Sequence, residues 1–82
     1  MNEPVPIVVP ASGVVEFFLL IEWLHEAGSR VSEGDEVVLI ESEKAELVLE
    51  APASGTLEIL VQTDPSVDVE VAVGAEIGRI VP

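Results

Sequence analysis

The sequence predicts an all-β sandwich or barrel, and three observations lead there. Valine and isoleucine together supply 21 of the 82 residues, and β-branched side chains suit a pleated, half-buried surface. Turn signals recur at short intervals, as PASG, EAGS, SEGD, SEK, APASG, TDPS and VGAE, and short runs punctuated in this way read as strands. The third observation is a repeat. PASG at 10–13 returns at 52–55, 42 positions on, and GDEVVLI at 34–40 is echoed by GAEIGRI at 74–80, 40 positions on. Two similar halves follow, about 6–41 and 52–81, within a single domain covering 1–82. Neither half can bury its own sheet face alone, so the halves must pack together.

Size and charge narrow the function classes. A chain of 82 residues has room for one core, and it buries only a little more than ~60% of its unfolded surface, so most strong apolar runs must face inward. There is no cysteine, which removes disulfides, thiol nucleophiles and Cys-ligated metal sites. Sixteen acidic residues against three basic ones give a net charge of −13, so nucleic acid and anionic membrane are not expected partners. The acids are interleaved with apolar residues, as on a folded domain with a negative surface. MNEPVPIVVPASG has neither a basic n-region nor an Arg-rich amphipathic pattern, and Phe17 to Ile21 is too short to span a bilayer. The expectation is a cytoplasmic protein.

Along the chain, the first run that needs arbitration is EFFLLIEWLHEAG at 16–28. Phe17, Leu20, Ile21, Leu24 and Ala27 fall at helical spacing, with Gly28 as a C-cap. Val15, Phe17, Leu19, Ile21 and Trp23 fall equally well at strand spacing. The counterpart TLEILV in the second half is rich in strand formers, which favours a strand. Next, VVLIESEKAELVLEA reads as strand, tight turn, strand, a hairpin over about 37–50. Val37 to Glu41 would pair with Ala45 to Glu50, Glu43 and Lys44 would sit near the tip, and Leu47 and Leu49 would share one side. Lys44 is the one lysine of the chain and lies in the connector Glu41–Ala51, outside both repeat copies. A lysine at a hairpin tip projects its ammonium into water, where an ordinary surface lysine and a site of enzymatic modification look alike. This acidic chain avoids lysine at every other exposed position, which favours the second.

IESEKAELVLEAPASGTL resembles the attachment hairpin of the lipoyl domains of 2-oxo acid dehydrogenase acyltransferase components, whose signature is Glu-(Thr/Ser)-Asp-Lys-Ala followed by a strand and Ala-Pro-x-x-Gly. Matching positions are Glu41, Ser42, Lys44, Ala45, Ala51, Pro52 and Gly55, with Glu43 where Asp is usual. Upstream, Trp23, Leu24, Gly28, Val31, Gly34 and Asp35 are similar to the family's Trp-Leu-x-x-x-Gly-Asp-x-Val-x-x-Gly-Asp stretch. The resemblance covers roughly residues 6 to 81. It implies a flattened β-barrel of two four-stranded antiparallel sheets related by a pseudo-twofold axis. It also implies lipoic acid in amide linkage on Lys44, with Glu41, Ser42, Glu43 and Ala45 read by a lipoate–protein ligase. The implied partners are a thiamine-diphosphate 2-oxo acid decarboxylase, the acyltransferase core and dihydrolipoamide dehydrogenase. The domain would be a carrier without its own active site, raising the local concentration of the arm at each of these.

Two stretches depart from the family pattern. VVEFFLLIE stands where a polar loop is common, and QTDPSVDVEVAVG is longer than the usual short turn of the second half. Not all of Val14, Val15, Phe17 and Phe18 can point inward if their segment alternates. At least one phenylalanine is therefore expected beside Lys44, in an apolar patch ringed by Glu16, Glu43 and Glu46. Such a patch would serve partner docking, unless the loop folds back to plug the barrel end.

Rival readings share the fold. A biotin carrier usually flanks its lysine with methionines, whereas the flanks here are Glu43 and Ala45 and the one methionine is Met1. The lipoylated hydrogen carrier of glycine cleavage is longer. An unmodified barrel acting as an interaction module, as in the half-barrels of periplasmic efflux proteins, is a reading from another class. An enzyme is poorly supported, because His25 is the sole histidine and no multi-histidine metal site is possible. It is expected on an exposed turn beside Glu22 and Glu26. Trp23 is expected to pack between strands, and Arg30 and Arg79 to make surface ion pairs of small worth.

Overall fold

A computed structural model describes residues 3–82. Eight strands form: β1 (Val5–Val8), β2 (Phe17–Trp23), β3 (Arg30–Val31), β4 (Glu36–Glu41), β5 (Glu46–Glu50), β6 (Gly55–Ile59), β7 (Val69–Ala72) and β8 (Glu76–Val81). They make two four-stranded antiparallel sheets, ordered β1-β8-β6-β3 and β5-β4-β2-β7. The molecule measures 38 × 28 × 17 Å, and its thin dimension suits two sheets packed about 10 Å apart with their outer side chains. The predicted all-β, flattened two-sheet architecture is thus the one observed.

The repeat is written into the strand register. Advancing each strand of the first half by four turns one sheet order into the other. Pairs coincide as well: Val5 opposes Ile80 as Leu47 opposes Ile40, and Ile7 opposes Gly78 as Leu49 opposes Val38. Both ladders carry a bulge at the same step, so Val37 and Val38 are both buried, as are Ile77 and Gly78. Residues 46–50, which the sequence repeat leaves in the connector, occupy the place of β1 in the second half. The two related glycine turns match too. Gly34 (φ 92°) and Gly74 (φ 89°) take the left-handed backbone that the third position of such a turn requires. Each donates its N–H to the chain end entering from the other side, at Ala51 O and Val9 O.

The core between the sheets is built from Ile7, Val9, Phe18, Leu20, Val31, Val37, Val38, Ile40, Ala51, Leu57, Val71, Ile77 and Ile80. Residues 16–28 resolve as strand and turn, not helix. The inward parity differs from the alternation through Phe17, Leu19 and Ile21. Phe18 and Leu20 point to the core, while Phe17 and Ile21 are exposed and Leu19 is half-buried on the outer face. Both parities of this run are apolar, so hydrophobicity could not choose. Pairing with two neighbours did: Phe18 lies opposite Val71 and Leu20 opposite Ile40, and a one-residue slip would have exchanged the faces. A bulge between Leu20 and Glu22 then brings Trp23 back against the core. Its indole Nε1–H donates to Val61 O at 2.9 Å, so the tryptophan packs between strands as expected. His25 is half-buried on the turn after β2, less exposed than its neighbours suggested.

Candidate functional site at the β4–β5 hairpin

β4 and β5 pair from Glu36↔Glu50 to Glu41↔Glu46. The apolar side chains Leu47 and Leu49 sit against the core, and Glu46, Val48 and Glu50 face water. Beyond the last pair, the Ser42 N–H donates to Ala45 O at 2.8 Å and closes the tip. The Ser42 hydroxyl accepts a long bond from the Lys44 N–H at 3.3 Å and donates another to Ala45 O at 3.4 Å. Two-residue hairpins ordinarily need positive φ at the tip, hence their Asn-Gly preference. Here no described non-glycine residue has positive φ, so Glu43 and Lys44 form an unprimed turn, held by Ser42. Glu43, Lys44, Ala45 and Glu46 are exposed, and Glu41 and Ser42 are half-buried. The Lys44 ammonium has no ion-pair partner among the described residues; the pair found there is Arg79 with Glu58, opposed in register across β6 and β8.

The tip stands beside a groove of about 590 Å³. Val14, Val15, Glu16, Phe17 and Leu19 form one side, and Glu41, Ser42, Glu43 and Lys44 form another. Of the patch expected here, Phe17 is present and 47% exposed, but Phe18 is not, being 1% exposed and part of the core. Of the two phenylalanines that were candidates for docking, Phe18 is held in the core opposite Val71, and Phe17 alone is exposed at the groove. Val14, 92% exposed, takes over much of the apolar surface. In the loop 11–16, Val15 packs against the core while Val14 stays in water, and Glu16 O accepts from the Val73 N–H at 3.0 Å. Glu16 and Glu43 rim the groove as expected, whereas Glu46 lies outside it, opposite Glu41 on the edge strand β5.

The remaining wall comes from Asp68 and Glu70, which sequence reasoning missed. They reach the site because β7 pairs with β2, Leu19 opposing Glu70 and Phe17 opposing Ala72. No local pattern signals a pairing across some fifty residues. Five carboxylates thus surround an apolar floor and one ammonium. Such a site has an exposed primary amine to acylate and a negative field around it, and no described cluster of three or more potential ligands could hold a metal ion.

Comparison with known families agrees with this geometry. The biotin/lipoyl family model, described as "Biotin-requiring enzyme", matches residues 5–80, and the chain belongs to that family of carrier domains, which lack an active site of their own and hold either biotin or lipoic acid in covalent linkage.

Proposed function

We propose that Lys44 bears lipoic acid and that the domain is the swinging-arm carrier of a 2-oxo acid dehydrogenase complex. The observation that carries this reading is the position of Lys44: an exposed amine, unpaired among the described residues, at the tip of a tightly closed hairpin. The residues flanking it favour lipoyl over biotin, since Glu43 and Ala45 stand where biotin carriers usually have methionine. For attachment, the Nζ loses a proton and attacks an activated lipoyl acyl group; an amide bond forms and the activating group leaves. When bound, the dithiolane supplies the means to take up an acyl group with two electrons and release them elsewhere.

The chain's own part is positional. The ladder behind the tip fixes where the arm starts, and the ligase would read the turn through Glu41, Ser42, Glu43 and Ala45. The acidic surface around Glu16, Phe17 and Glu46 suits partners whose active-site mouths are basic. Those partners are the thiamine-diphosphate decarboxylase, the acyltransferase core and dihydrolipoamide dehydrogenase.

Incubation with lipoate–protein ligase, and separately with biotin–protein ligase, tests the reading by intact mass. One lipoyl group is expected on the wild type and none on Lys44→Arg. Efficient biotin transfer with refusal of lipoate would assign the domain to biotin-dependent carboxylation instead. Refusal of both would make it an unmodified interaction module.

A further inference from the structure

Exposed apolar side chains occur elsewhere on the strands, Val8, Ile21 and Val48 among them. Beside Lys44, however, Val14 and Phe17 present large apolar surface to water and the half-buried Leu19 lines the same groove. Isolated exposed apolar residues need no explanation, but contiguous ones do. These three meet in one groove, and Lys44 forms part of its wall. Anything attached to the Lys44 Nζ therefore starts at the edge of an apolar surface.

We propose that this groove is the resting seat of the arm on Lys44, which lies back along Val14, Phe17 and Leu19 when no partner holds it. The chemical class that fits is a neutral acyl chain ending in a small apolar ring, so the proposal rests on the lipoyl reading for the identity of its ligand. Acylation turns the ammonium into a neutral amide and leaves the alkyl chain tethered at the groove, where its effective concentration far exceeds that of any free ligand. A second copy of this chain is a poor occupant. Its charge of −13 would be brought against the rim of Glu16, Glu43 and Glu70, and like charges so juxtaposed oppose association. The groove is open, so a partner can lift the arm away. The same rim gives the seat a second property. Thiol–disulfide exchange proceeds through the thiolate, and surrounding carboxylates disfavour that anion, so a reduced arm in the groove is shielded from adventitious alkylation and exchange.

The test loads the protein in two ways, with lipoate–protein ligase and with the N-hydroxysuccinimide ester of lipoic acid. The ester acylates Lys44 and the α-amine; ion-exchange chromatography separates the singly acylated proteins, and peptide mapping of a portion identifies the one loaded on Lys44. In isotope-labelled protein, loading is expected to shift the amide signals of Val14, Phe17 and Leu19. Nuclear Overhauser contacts should join the arm's methylenes to the Phe17 ring. Val14→Ser should weaken those contacts and Phe17→Ser should shrink the loading shifts at Val14 and Leu19, each with the melting temperature little changed. After reduction, they should also make iodoacetamide alkylation of the arm several-fold faster. Shifts confined to Glu43–Ala45, with no contact to Phe17 and equal alkylation rates, would overturn the seat. Failure of the ligase alone, with the ester-loaded protein showing the contacts, would overturn the lipoyl reading and leave the groove as a seat for an apolar acyl arm.

Discussion

The indole of Trp23 lies directly over the bare α-carbon of Gly78: a methyl group placed on that glycine would stand 2.8 Å from the ring and 2.8 Å from the Glu58 carbonyl oxygen. The two residues belong to different sheets and different halves. Register relates Trp23 to Ile59 and Gly78 to Val38. One half therefore carries a large side chain where the other carries a medium one, and the residue beneath is reduced to match. Gly78→Ala should cost about 1–3 kcal/mol through overpacking, lowering the melting temperature by roughly 4–8 °C per kcal/mol in a domain of this size. Trp23→Leu in the same chain should recover part of that loss. Thermal melts of the three variants decide it, and a silent Gly78→Ala would show that the ring moves freely.

Adjacent phenylalanines should behave in opposite ways. Phe18 is fully buried opposite Val71, so Phe18→Ala removes a core side chain and should cost about 3–5 kcal/mol, a large share of the stability of a small domain. Phe17→Ser removes a half-exposed ring and should cost under about 1 kcal/mol. Denaturant titration separates them, and similar losses at both positions would contradict the observed parity of β2.

Glu41 and Glu46 oppose each other across β4 and β5, and Glu36 opposes Glu50 in the same ladder. Like charges placed opposite one another oppose pairing, and relief of one such contact is worth about 0.5 kcal/mol. Glu46→Gln should therefore raise the melting temperature at low salt. Between about 0.01 M and about 0.5 M salt the wild type should gain stability and the difference should shrink, because screening shortens the reach of exposed charges. A wild-type melting temperature that ignores salt would refute the electrostatic account.

Asp64 accepts hydrogen bonds from the Ser66 N–H at 2.9 Å and the Ser66 hydroxyl at 2.7 Å. The backbone bond first, then the side-chain bond, holds its carboxyl below the ordinary value of 3.8. A lowered folded value means that the ionised form favours the folded state. The contribution is complete above the unfolded value and disappears as pH falls through the lower folded one. Asp64→Asn should be less stable than wild type at neutral pH, and the difference should fade as pH falls through the lowered folded value. A constant difference across that window would remove the charge from the explanation.

Much of the fold was legible in the chain. Strand-forming composition, closely spaced turns and the 40–42-residue repeat specify two like halves that must share a core, and the register confirms the likeness pair by pair. The hairpin was legible because Leu47 and Leu49 share one face while Glu46 and Glu50 bracket Val48 on the other, which marks the leucine face as the buried one. The lone lysine marked the tip for the same reason: nothing else in its neighbourhood competes for that chemistry. What the sequence could not decide was the face of β2, since Phe17, Leu19 and Ile21 are as apolar as Phe18 and Leu20. Periodicity distinguishes faces only when they differ in polarity. The choice came from β4 and β7 on either side, together with a bulge that returns Trp23 to the core. The groove beside Lys44 was likewise settled by tertiary pairing. Asp68 and Glu70 join Val14, Phe17 and Lys44 because β7 closes against β2, and contacts of such long sequence separation leave no local trace.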